Sequence, residues 1–365
     1  SFLRRIEAEG LVDVASQMLR LPPGYQAPRA ALHGKAPLRQ AAGRKPRGAR
    51  HRGVALCGAR DVHIALSGDK RHAEGLLAAV NSAVAATGTP SRLCLHVFCL
   101  VSEASFFREA FWCSFRGRLL HLVDGDRDAF SLHGAAVVLH TFDAKDVLST
   151  GLAVDDGVTL EAGNLNAPHN FVRFHLARWL PPVEVPRLIY LDTDVIVRGD
   201  LCDLFDTSSD DGAFSSIVSA VPRRHLPLSV YLKVFSPRMP LWLPSSAPSF
   251  NAGVMIISLR AWDAHNITGH VEAWALRNGG HELWRLGSQP PLLLLLHDRV
   301  RWLDDAWNVD GLGHHMEHTT ERLLGARILH WTGPLKPWAV NGLHQDLWEP
   351  HAVHCWRGAA GRVPS

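Results

Sequence analysis

Two aspartates, Asp192 and Asp194, interrupt an apolar run at residues 188–197 that would otherwise predict a buried strand. Alternate residues of an extended chain point the same way, so both carboxylates would face one point at a strand end. Buried carboxylates need a counter-charge. A divalent cation with oxygen ligands would supply it and would attract a phosphate on its far side. A surface turn is the alternative, because two aspartates at this spacing are common by chance; the apolar flanks favour a metal site.

The segment His-Trp-Thr-Gly-Pro-Leu-Lys-Pro-Trp at residues 330–338 is the second candidate. A neutral imidazole at His330 could complete a divalent site that two carboxylates begin. Gly333 allows the backbone to approach a phosphate closely, and Lys336 supplies a point charge for a diphosphate oxygen. A lone histidine beside a tryptophan is more often a packed core residue. The spacing of histidine, glycine and lysine favours a functional site here.

Periodicity indicates the elements that must position these residues. Apolar runs predict strands, and they lie at residues 62–67, 93–101, 118–123, 188–197, 250–259 and 326–329. Helical spacing predicts helices at residues 74–86, 106–115, 170–180 and 263–278. This alternation predicts a mostly parallel sheet that is covered by helices on both faces. Residues 143–168 lack clear periodicity, and residues 207–248 are irregular and are expected to form a loop over the site.

Together these motifs resemble the retaining glycosyltransferases of family 8, over roughly residues 61–356. The resemblance implies an α/β fold of the GT-A type, with a Rossmann-like, mostly parallel central sheet. In that family the paired aspartates and the histidine bind Mn²⁺, with Mg²⁺ as the alternative ion, and the glycine and lysine contact the diphosphate of a UDP-sugar. The residues that this assigns to the metal are Asp192, Asp194 and His330. Those that it assigns to the donor nucleotide are Asp192, Thr193, Asp194, Gly333 and Lys336.

Other family signatures occur in the expected order. Ser67 and Asp69, at the end of the first strand, fall where the family holds uracil and ribose. Arg173 falls on an arginine that faces the donor. Asn251 lies in the segment Phe-Asn-Ala-Gly-Val, whose asparagine meets the donor sugar. Arg173, Asn251 and Gln289 are therefore the predicted catalytic residues, the first two to orient the sugar.

The surroundings of Gln289 depart from the family, because Ser288 and Pro290 replace the two acids that usually flank this glutamine. Retaining hydrolases usually use a carboxylate nucleophile. Here an amide stands at that position, so we expect front-face attack by the acceptor, with the departing phosphate oxygen taking the acceptor's proton. The loss of both acids leaves the sugar open among hexosyl, pentosyl and uronosyl groups. It also leaves a catalytically weak or inactive UDP-sugar-binding protein as the alternative.

The resemblance and the charge distribution suggest three segments. Residues 1–60 carry twelve Lys and Arg against three Asp and Glu and are rich in Pro and Gly, as in a poorly ordered stem. Residues 61–356 would form one GT-A domain, with a nucleotide-binding half at 61–205 and the acceptor side at 206–356, and residues 357–365 a tail. A nucleic-acid or membrane contact by the basic stem is disfavoured, because aromatic residues are nearly absent there. A metal-dependent phosphohydrolase is disfavoured too, since it would need a second metal or a clear nucleophile.

Three features of the sequence bear on the compartment of the protein. No apolar run reaches the ~20 residues of a membrane span, and the sequence starts at Ser1, so we expect a type II membrane protein of the Golgi or another secretory lumen with its anchor upstream. The sequon Asn266-Ile267-Thr268 agrees with this. Six scattered cysteines do not predict a disulfide framework. The expected partners are a UDP-sugar donor and a glycan or glycoconjugate acceptor, and no nucleic acid.

Overall fold

The computed structural model of the chain describes Cys57 and residues 62–124, 127–148, 167–207, 216–235, 247–277 and 287–355. These residues belong to one compact unit, Gly53–Ser365. The predicted stem at residues 1–60, except for Cys57, and the predicted tail at 357–365 lie outside the described residues.

Most of the strands are short and buried. They are β1 (Val62–Ser67), β2 (Leu93–Leu100), β3 (Leu119–Asp124), β4 (Arg127–Leu132), β5 (Ala135–Phe142), β6 (Arg187–Leu191), β7 (Val195–Val197), β8 (Val218–Pro227), β9 (Pro248–Ser258), β10 (Val300–Trp302) and β11 (Ile328–His330). Nine of them form one sheet in the order β10-β8-β9-β6-β1-β2-β5-β4-β3, and β7 and β11 pair separately. The four central strands β6, β1, β2 and β5 run parallel, as predicted, and antiparallel neighbours flank them.

The helices cover both faces of the sheet. They are α1 (Ala73–Ala86), α2 (Ala104–Ser114), α3 (Ala144–Leu148), α4 (Leu176–Trp179), α5 (Leu201–Thr207), α6 (Leu228–Phe235), α7 (Leu259–Ala264), α8 (Ile267–Arg277), α9 (Gln289–Leu296), α10 (Thr320–Gly325) and α11 (Gln345–Trp348). Short 3₁₀ helices connect them, at Lys70–His72, Pro90–Arg92, Val101–Glu103, Pro168–Phe174, Asp305–Asn308 and Glu349–His351.

The sheet is buried on both faces, which explains why its central strands are continuous apolar runs. On β1, Ile64 and Leu66 pack towards α1 and α2, whereas Ala65 points into the core on the other side. That second core includes Leu292 and Leu296 of α9. Burial of these side chains, at roughly 1.5–3 kcal/mol each, is what holds the strand ends in place.

Several predicted elements differ from the structure. Residues 127–142 form β4 and β5, although no strand was predicted there, and residues 218–235 form β8 and α6 rather than a loop. The predicted helix at 170–180 is largely the 3₁₀ helix Pro168–Phe174 followed by one α turn. The predicted helix at 263–278 is two helices, because Asn266 between them adopts a φ of +48° that ends α7. Most of the aperiodic segment 143–168 lies outside the described residues.

Two disulfides, which the sequence did not predict, link Cys57 to Cys94 and Cys113 to Cys355. The first joins Cys57, which precedes β1 in the sequence, to β2, and the second joins α2 to the end of the described chain. The partners in the second pair are 242 residues apart in sequence, so their spacing gave no signal. Among the described helices, none has the length and apolar character to span a membrane.

Candidate active site

Asp192 and Asp194 lie in the short gap between β6 and β7, where the apolar run leaves the main sheet. The backbone N–H of Asp192 donates to the carbonyl oxygen of Gly253 on β9, at 2.7 Å. The backbone N–H of Trp331 donates to the carbonyl oxygen of Asp194, at 2.9 Å. The aspartate pair is therefore fixed between β9 on one side and the segment after β11 on the other.

His330 reaches the aspartates because β11 pairs antiparallel with β7, which puts His330 opposite Val195. Its Nε2 lies 3.2 Å from Oδ1 of Asp194 and 3.9 Å from Oδ2 of Asp192. One ligand atom from each of the three side chains lies within 4.8 Å of the others. The structure thus brings His330 to an aspartate pair that lies more than a hundred positions earlier in the sequence.

Each aspartate uses one carboxylate oxygen for a protein cation and turns the other towards His330. Oδ1 of Asp192 accepts from Arg173, and Oδ2 of Asp194 accepts from Lys336. Oδ2 of Asp192 and Oδ1 of Asp194 are the oxygens near the imidazole. The site therefore offers two oxygens and one nitrogen that converge on one point, a donor set suited to Mn²⁺ or Mg²⁺.

The imidazole of His330 is oriented for metal ligation. It is fully buried, and its Nδ1 lies 2.9 Å from Oδ1 of Asn308. With the amide oxygen facing the ring, Nδ1 carries the hydrogen and Nε2 carries a lone pair. Among the described residues, Nε2 has no hydrogen-bond partner. A lone pair that faces two carboxylates is unfavourable unless a cation lies between them, so these residues fit a divalent ion.

Gly253 leaves the space next to the three ligands open. A Cβ at this position would lie 2.3 Å from Oδ2 of Asp192 and 2.4 Å from Cε1 of His330. Any larger residue would displace the ligands. The glycine of the Phe-Asn-Ala-Gly-Val segment is thus required by the site as well as by the strand.

Arg173 acts on the site through Asp192. Its guanidinium is almost fully buried and donates to Asp192, to the carbonyl of Ala252 at 2.8 Å and to the carbonyl of Asn170 at 3.1 Å. It also stacks on Tyr190, with 4.5 Å between the guanidinium carbon and the ring centre. Burial disfavours the charged guanidinium, but the charge of Asp192 more than compensates, so the pKa of Arg173 is raised.

Lys336 and Gly333 close the site from the segment after β11. The Lys336 ammonium donates to Asp194 and, at 2.8 Å, to the carbonyl of Trp331. Burial alone would raise the pKa of Asp194, but the Lys336 ammonium beside it holds that pKa well below its usual range. Gly333 has a φ of +121°, and a Cβ there would lie 2.4 Å from the carbonyl oxygen of Gly313. The turn that brings Lys336 to Asp194 therefore requires glycine.

Asn251 and Gln289 are linked through the backbone of β9. The side-chain oxygen of Asn251 accepts from the N–H of Gly253 at 2.7 Å, and Oε1 of Gln289 accepts from the N–H of Ala252 at 2.9 Å. Gln289 also hydrogen-bonds the buried hydroxyl of Tyr231. Both side-chain amides are thus held by the backbone at Ala252 and Gly253. Gly253 in turn lies next to the metal-ligand cluster.

Ser67, Asp69 and Thr193 lie on the first-strand side of the site, where they already have structural roles. Ser67 donates to the carbonyl of Phe98 at 3.2 Å, and Thr193 is buried. Asp69 caps the 3₁₀ helix Lys70–His72, accepting from two backbone N–H groups and from the His72 ring at 2.8 Å. Burial alone would raise the pKa of Asp69, but the His72 hydrogen bond helps to hold it well below its usual range.

Sequence reasoning missed three residues that shape this site. Asn308 orients His330, Gly253 keeps the cluster open, and Trp338 packs near His72, with 6.2 Å between ring centres. The pair Trp307-Asn308 stands out in the sequence, but only the pairing of β11 with β7 shows what it contacts. For Gly253 the signal was available, since it follows Asn251 by two residues and is the glycine of the Phe-Asn-Ala-Gly-Val segment.

The central sheet with helices on both faces is a fold of the GT-A class. The sequence matches the profile of glycosyl transferase family 8 over residues 63–342, and the chain belongs to that family. The solved structure of the galactosyltransferase LgtC, in complex with donor and acceptor sugar analogues, has the same fold. It superposes with a TM-score of 0.57 at 20% identity, over 83% of this chain and 98% of LgtC.

Curated relatives extend the comparison. The glycosyltransferase 8 domain-containing protein 1 of Danio rerio is 30% identical over 202 residues, which are 50% of this chain and 55% of that protein. The probable galacturonosyltransferase-like 9 of Arabidopsis thaliana is 28% identical over 314 residues, 82% of this chain and 74% of the relative. The chain thus spans about half the length of the first of these relatives and about three quarters of the second.

Proposed function

We propose that this chain is a retaining glycosyltransferase that transfers a hexosyl, pentosyl or uronosyl group from a UDP-sugar to a glycan or glycoconjugate. It would use Mn²⁺, with Mg²⁺ as the alternative ion, held by Asp192, Asp194 and His330. One observation carries the proposal: a fully buried imidazole nitrogen without a hydrogen-bond partner in the described structure faces one oxygen of each aspartate. The space left by Gly253 supports it.

The residues around the ion would prepare the site for a diphosphate leaving group. The ion, when bound, supplies Lewis-acid stabilisation of the charge that develops on the departing phosphate. Lys336 has three N–H donors and uses two of them, on Asp194 and Trp331, so one remains for a phosphate oxygen. Because both aspartates are already held in place, little reorganisation opposes the reaction, which is the condition for effective electrostatic stabilisation.

Asn251, Arg173 and Gln289 would position the donor sugar. Arg173 does so indirectly, by fixing Asp192. Oε1 of Gln289 uses one lone pair on the Ala252 N–H and keeps one for an oxocarbenium-like sugar. An amide is a poor nucleophile, so retention would proceed by front-face attack of the acceptor, whose proton goes to the departing phosphate oxygen. A second LgtC structure, of an active-site variant with glutamate in place of glutamine, supports a role for a glutamine in this fold.

The proposed nucleotide contacts are Ser67, Asp69, Thr193, Gly333 and Lys336. Ser67 and Asp69 come from the end of β1, Thr193 from the gap between β6 and β7, and Gly333 and Lys336 from the segment after β11. We further propose the Golgi or another secretory lumen as the compartment. The Cys113–Cys355 disulfide supports an oxidising compartment, and Asn266 of the sequon is exposed.

Replacement of Asp194 by alanine tests the metal assignment. We expect Asp194→Ala to lose Mn²⁺-dependent UDP binding in titration calorimetry while its circular dichroism spectrum stays native. The matched control is Asp203→Ala on α5, an exposed aspartate that is not part of the ligand cluster and should bind UDP normally. Unchanged UDP affinity in the Asp194 variant would contradict the assignment.

Ser288 and Pro290, beside Gln289, favour one second candidate: a UDP-sugar-binding protein with weak or no transfer activity. UDP release from UDP-glucose, UDP-galactose, UDP-xylose, UDP-glucuronate and UDP-galacturonate, with Mn²⁺ and water as acceptor, separates the two functions. Release from any donor shows an enzyme. Mn²⁺-dependent binding without release from any of the five supports the binding protein.

A further inference from the structure

A second cluster of metal-ligand side chains lies inside the sheet, away from the proposed active site. It consists of Cys57, His63 on β1, and Cys94 and His96 on β2. All four are at most 2% exposed, and one ligand atom of each lies within 4.8 Å of the others. None of them contributes to the metal and donor contacts proposed above.

Strand register explains why these side chains meet. His63 pairs with Cys94 across the parallel β1–β2 ladder, and Cys94 and His96 lie on the same face of β2 because they are two residues apart. Cys57, which precedes β1, packs against Cys94 and Val138. The two histidines and two cysteines thus approach from three different segments of the chain.

The two imidazole nitrogens and the sulfur of Cys94 lie near the spacing of tetrahedral zinc ligands. Nδ1 of His63 lies 2.9 Å from Nε2 of His96, which lies 3.5 Å from Sγ of Cys94. In a tetrahedral site with Zn–N bonds of about 2.0 Å and Zn–S bonds of about 2.3 Å, ligand atoms are roughly 3.3–3.8 Å apart. The two imidazole nitrogens would have to move slightly apart, and the two sulfur atoms would have to separate after the disulfide is reduced. Nδ1 of His96 lies 2.9 Å from Nε2 of His140, a contact of the kind that orients metal-bound histidines.

We propose that Cys57, His63, Cys94 and His96 form a zinc site when the two cysteines are reduced. Two thiolates and two neutral imidazoles bring a charge that Zn²⁺ neutralises completely. A neutral site suits a position with almost no solvent exposure, where an unbalanced charge would be very costly. His140 is the positioning residue of this site, because it fixes the tautomer of His96.

The disulfide state and the zinc state exclude each other. In the structure the sulfur atoms of Cys57 and Cys94 are joined. A dithiol reductant would give two electrons and two protons to this bond, yielding two thiols and its own disulfide. Zinc would then displace the two thiol protons and bind both thiolates. Zinc bound before oxidation would conversely keep the thiols from forming the disulfide.

The test uses the full chain carrying Asp194→Ala, so that the proposed active site does not compete for metal. The protein is reduced with a dithiol, given Zn²⁺ or Co²⁺, freed of excess metal and measured by elemental analysis and absorption. We expect one equivalent of zinc per chain and, with Co²⁺, a near-ultraviolet thiolate-to-cobalt charge-transfer band. The oxidised protein should show neither.

Cys57→Ser should have a weaker charge-transfer band, because only the Cys94 thiolate remains, and should lose at least about tenfold in zinc affinity. The control, Cys113→Ser with Cys355→Ser, removes the other disulfide and should keep both. The proposal would be overturned if the reduced parent held less than about 0.1 equivalent of zinc per chain. It would also be overturned if Cys57→Ser held as much zinc as the parent. The zinc content of the reduced parent tests the proposal even if Cys57→Ser does not fold. Failure here would leave the proposed transferase untouched, since UDP binding is measured at the other site.

Discussion

The two carboxylate oxygens of each aspartate in the candidate site have different partners. One oxygen of Asp192 is occupied by Arg173 and one oxygen of Asp194 by Lys336, which leaves one oxygen of each directed at His330. The two cations also balance the two carboxylate charges in this partly buried region. The ligands are thus held in place before any ion or nucleotide arrives, and that lowers the entropic cost of binding.

Replacement of Lys336 tests whether its ammonium contacts a phosphate of the nucleotide or only supports the site in general. We expect Lys336→Ala to weaken UDP binding roughly 10- to 100-fold, because a hydrogen bond to a charged group contributes about 1.5–3 kcal/mol. Uridine, which lacks the diphosphate, should lose far less affinity. Both are measured by titration calorimetry with Mn²⁺. Lys145→Ala, at an exposed lysine paired with Asp143, is the control. Equal losses for UDP and uridine would argue against the phosphate contact.

Replacement of Gly253 by alanine tests whether metal binding needs the open space beside Asp192 and His330. The methyl group of Gly253→Ala would lie 2.3 Å from Oδ2 of Asp192, so that the carboxylate or the His330 ring must move. We expect Mn²⁺ affinity to fall at least about tenfold, the range seen when the support of a ligand is disturbed. Gly325→Ala is the control, since nothing lies within 4 Å of a Cβ there. A Gly253 variant that binds Mn²⁺ like the parent would contradict the proposed site.

At the scale of elements, the site exists because separate pieces of chain end at the same place. The β6–β7 gap carries the aspartates, β9 carries Asn251 and Gly253, and β11 carries His330. The 3₁₀ helix Asp305–Asn308 adds Asn308. Strand pairing fixes their relative positions: β6 pairs with β9, and β7 pairs with β11. A slip of one residue in the β7–β11 register would turn the His330 side chain away from the aspartates.

The segment that follows this site is fastened by the Cys113–Cys355 disulfide between α2 and the end of the described chain. We expect Cys113→Ser with Cys355→Ser to lower the free energy of unfolding by about 2–4 kcal/mol, because the bridge closes a very long loop in the unfolded chain. Urea unfolding of the oxidised parent and of the double variant measures this. The two proteins should become equally stable once both are reduced, because reduction also opens the Cys57–Cys94 disulfide that both contain.

A difference that persists after reduction would mean that the serine substitutions, and not the loss of the covalent bridge, destabilise the fold. The hydrogen bond from Asn81 on α1 to the carbonyl of His351, at 3.0 Å, holds the same segment and remains in both proteins. We therefore expect the variant to retain its fold at neutral pH.

Much of this arrangement was predictable from local pattern. The strand at 62–67 was predicted with the observed bounds, and the helix bounds at 74–86 are within one residue of α1, because burial on one or both faces leaves a regular sequence signal. The division of the run at 188–197 into two strands of different sheets was not predictable. β11, the partner of β7, lies more than a hundred residues away, and propensity carries no such information. The same holds for Asn308, whose role depends on tertiary contact alone.

For the whole molecule, the central sheet separates two hydrophobic cores, and several histidines are buried within or beside them. His175, between the 3₁₀ helix Pro168–Phe174 and α4, is one of these. Burial, and then the charge of Arg178, lower the pKa of His175 to about 3, although Glu272 lies 4.0 Å away. Such a residue is neutral in the folded protein at every pH at which the unfolded chain would begin to protonate it.

The pH dependence of stability follows from that difference. The pKa of His175 is about 3 when folded and 6.5 in the unfolded reference, so its contribution is complete above pH 6.5 and is lost as the pH falls towards 3. Between pH 7.5 and 5.5 it should lower the free energy of unfolding by about 1.4 kcal/mol. In urea unfolding, His175→Gln should remove that part of the decrease, whereas His354→Gln, at an exposed histidine, should not. If both variants kept the parent's full decrease between these pH values, the neutral state of His175 would not be a source of acid lability.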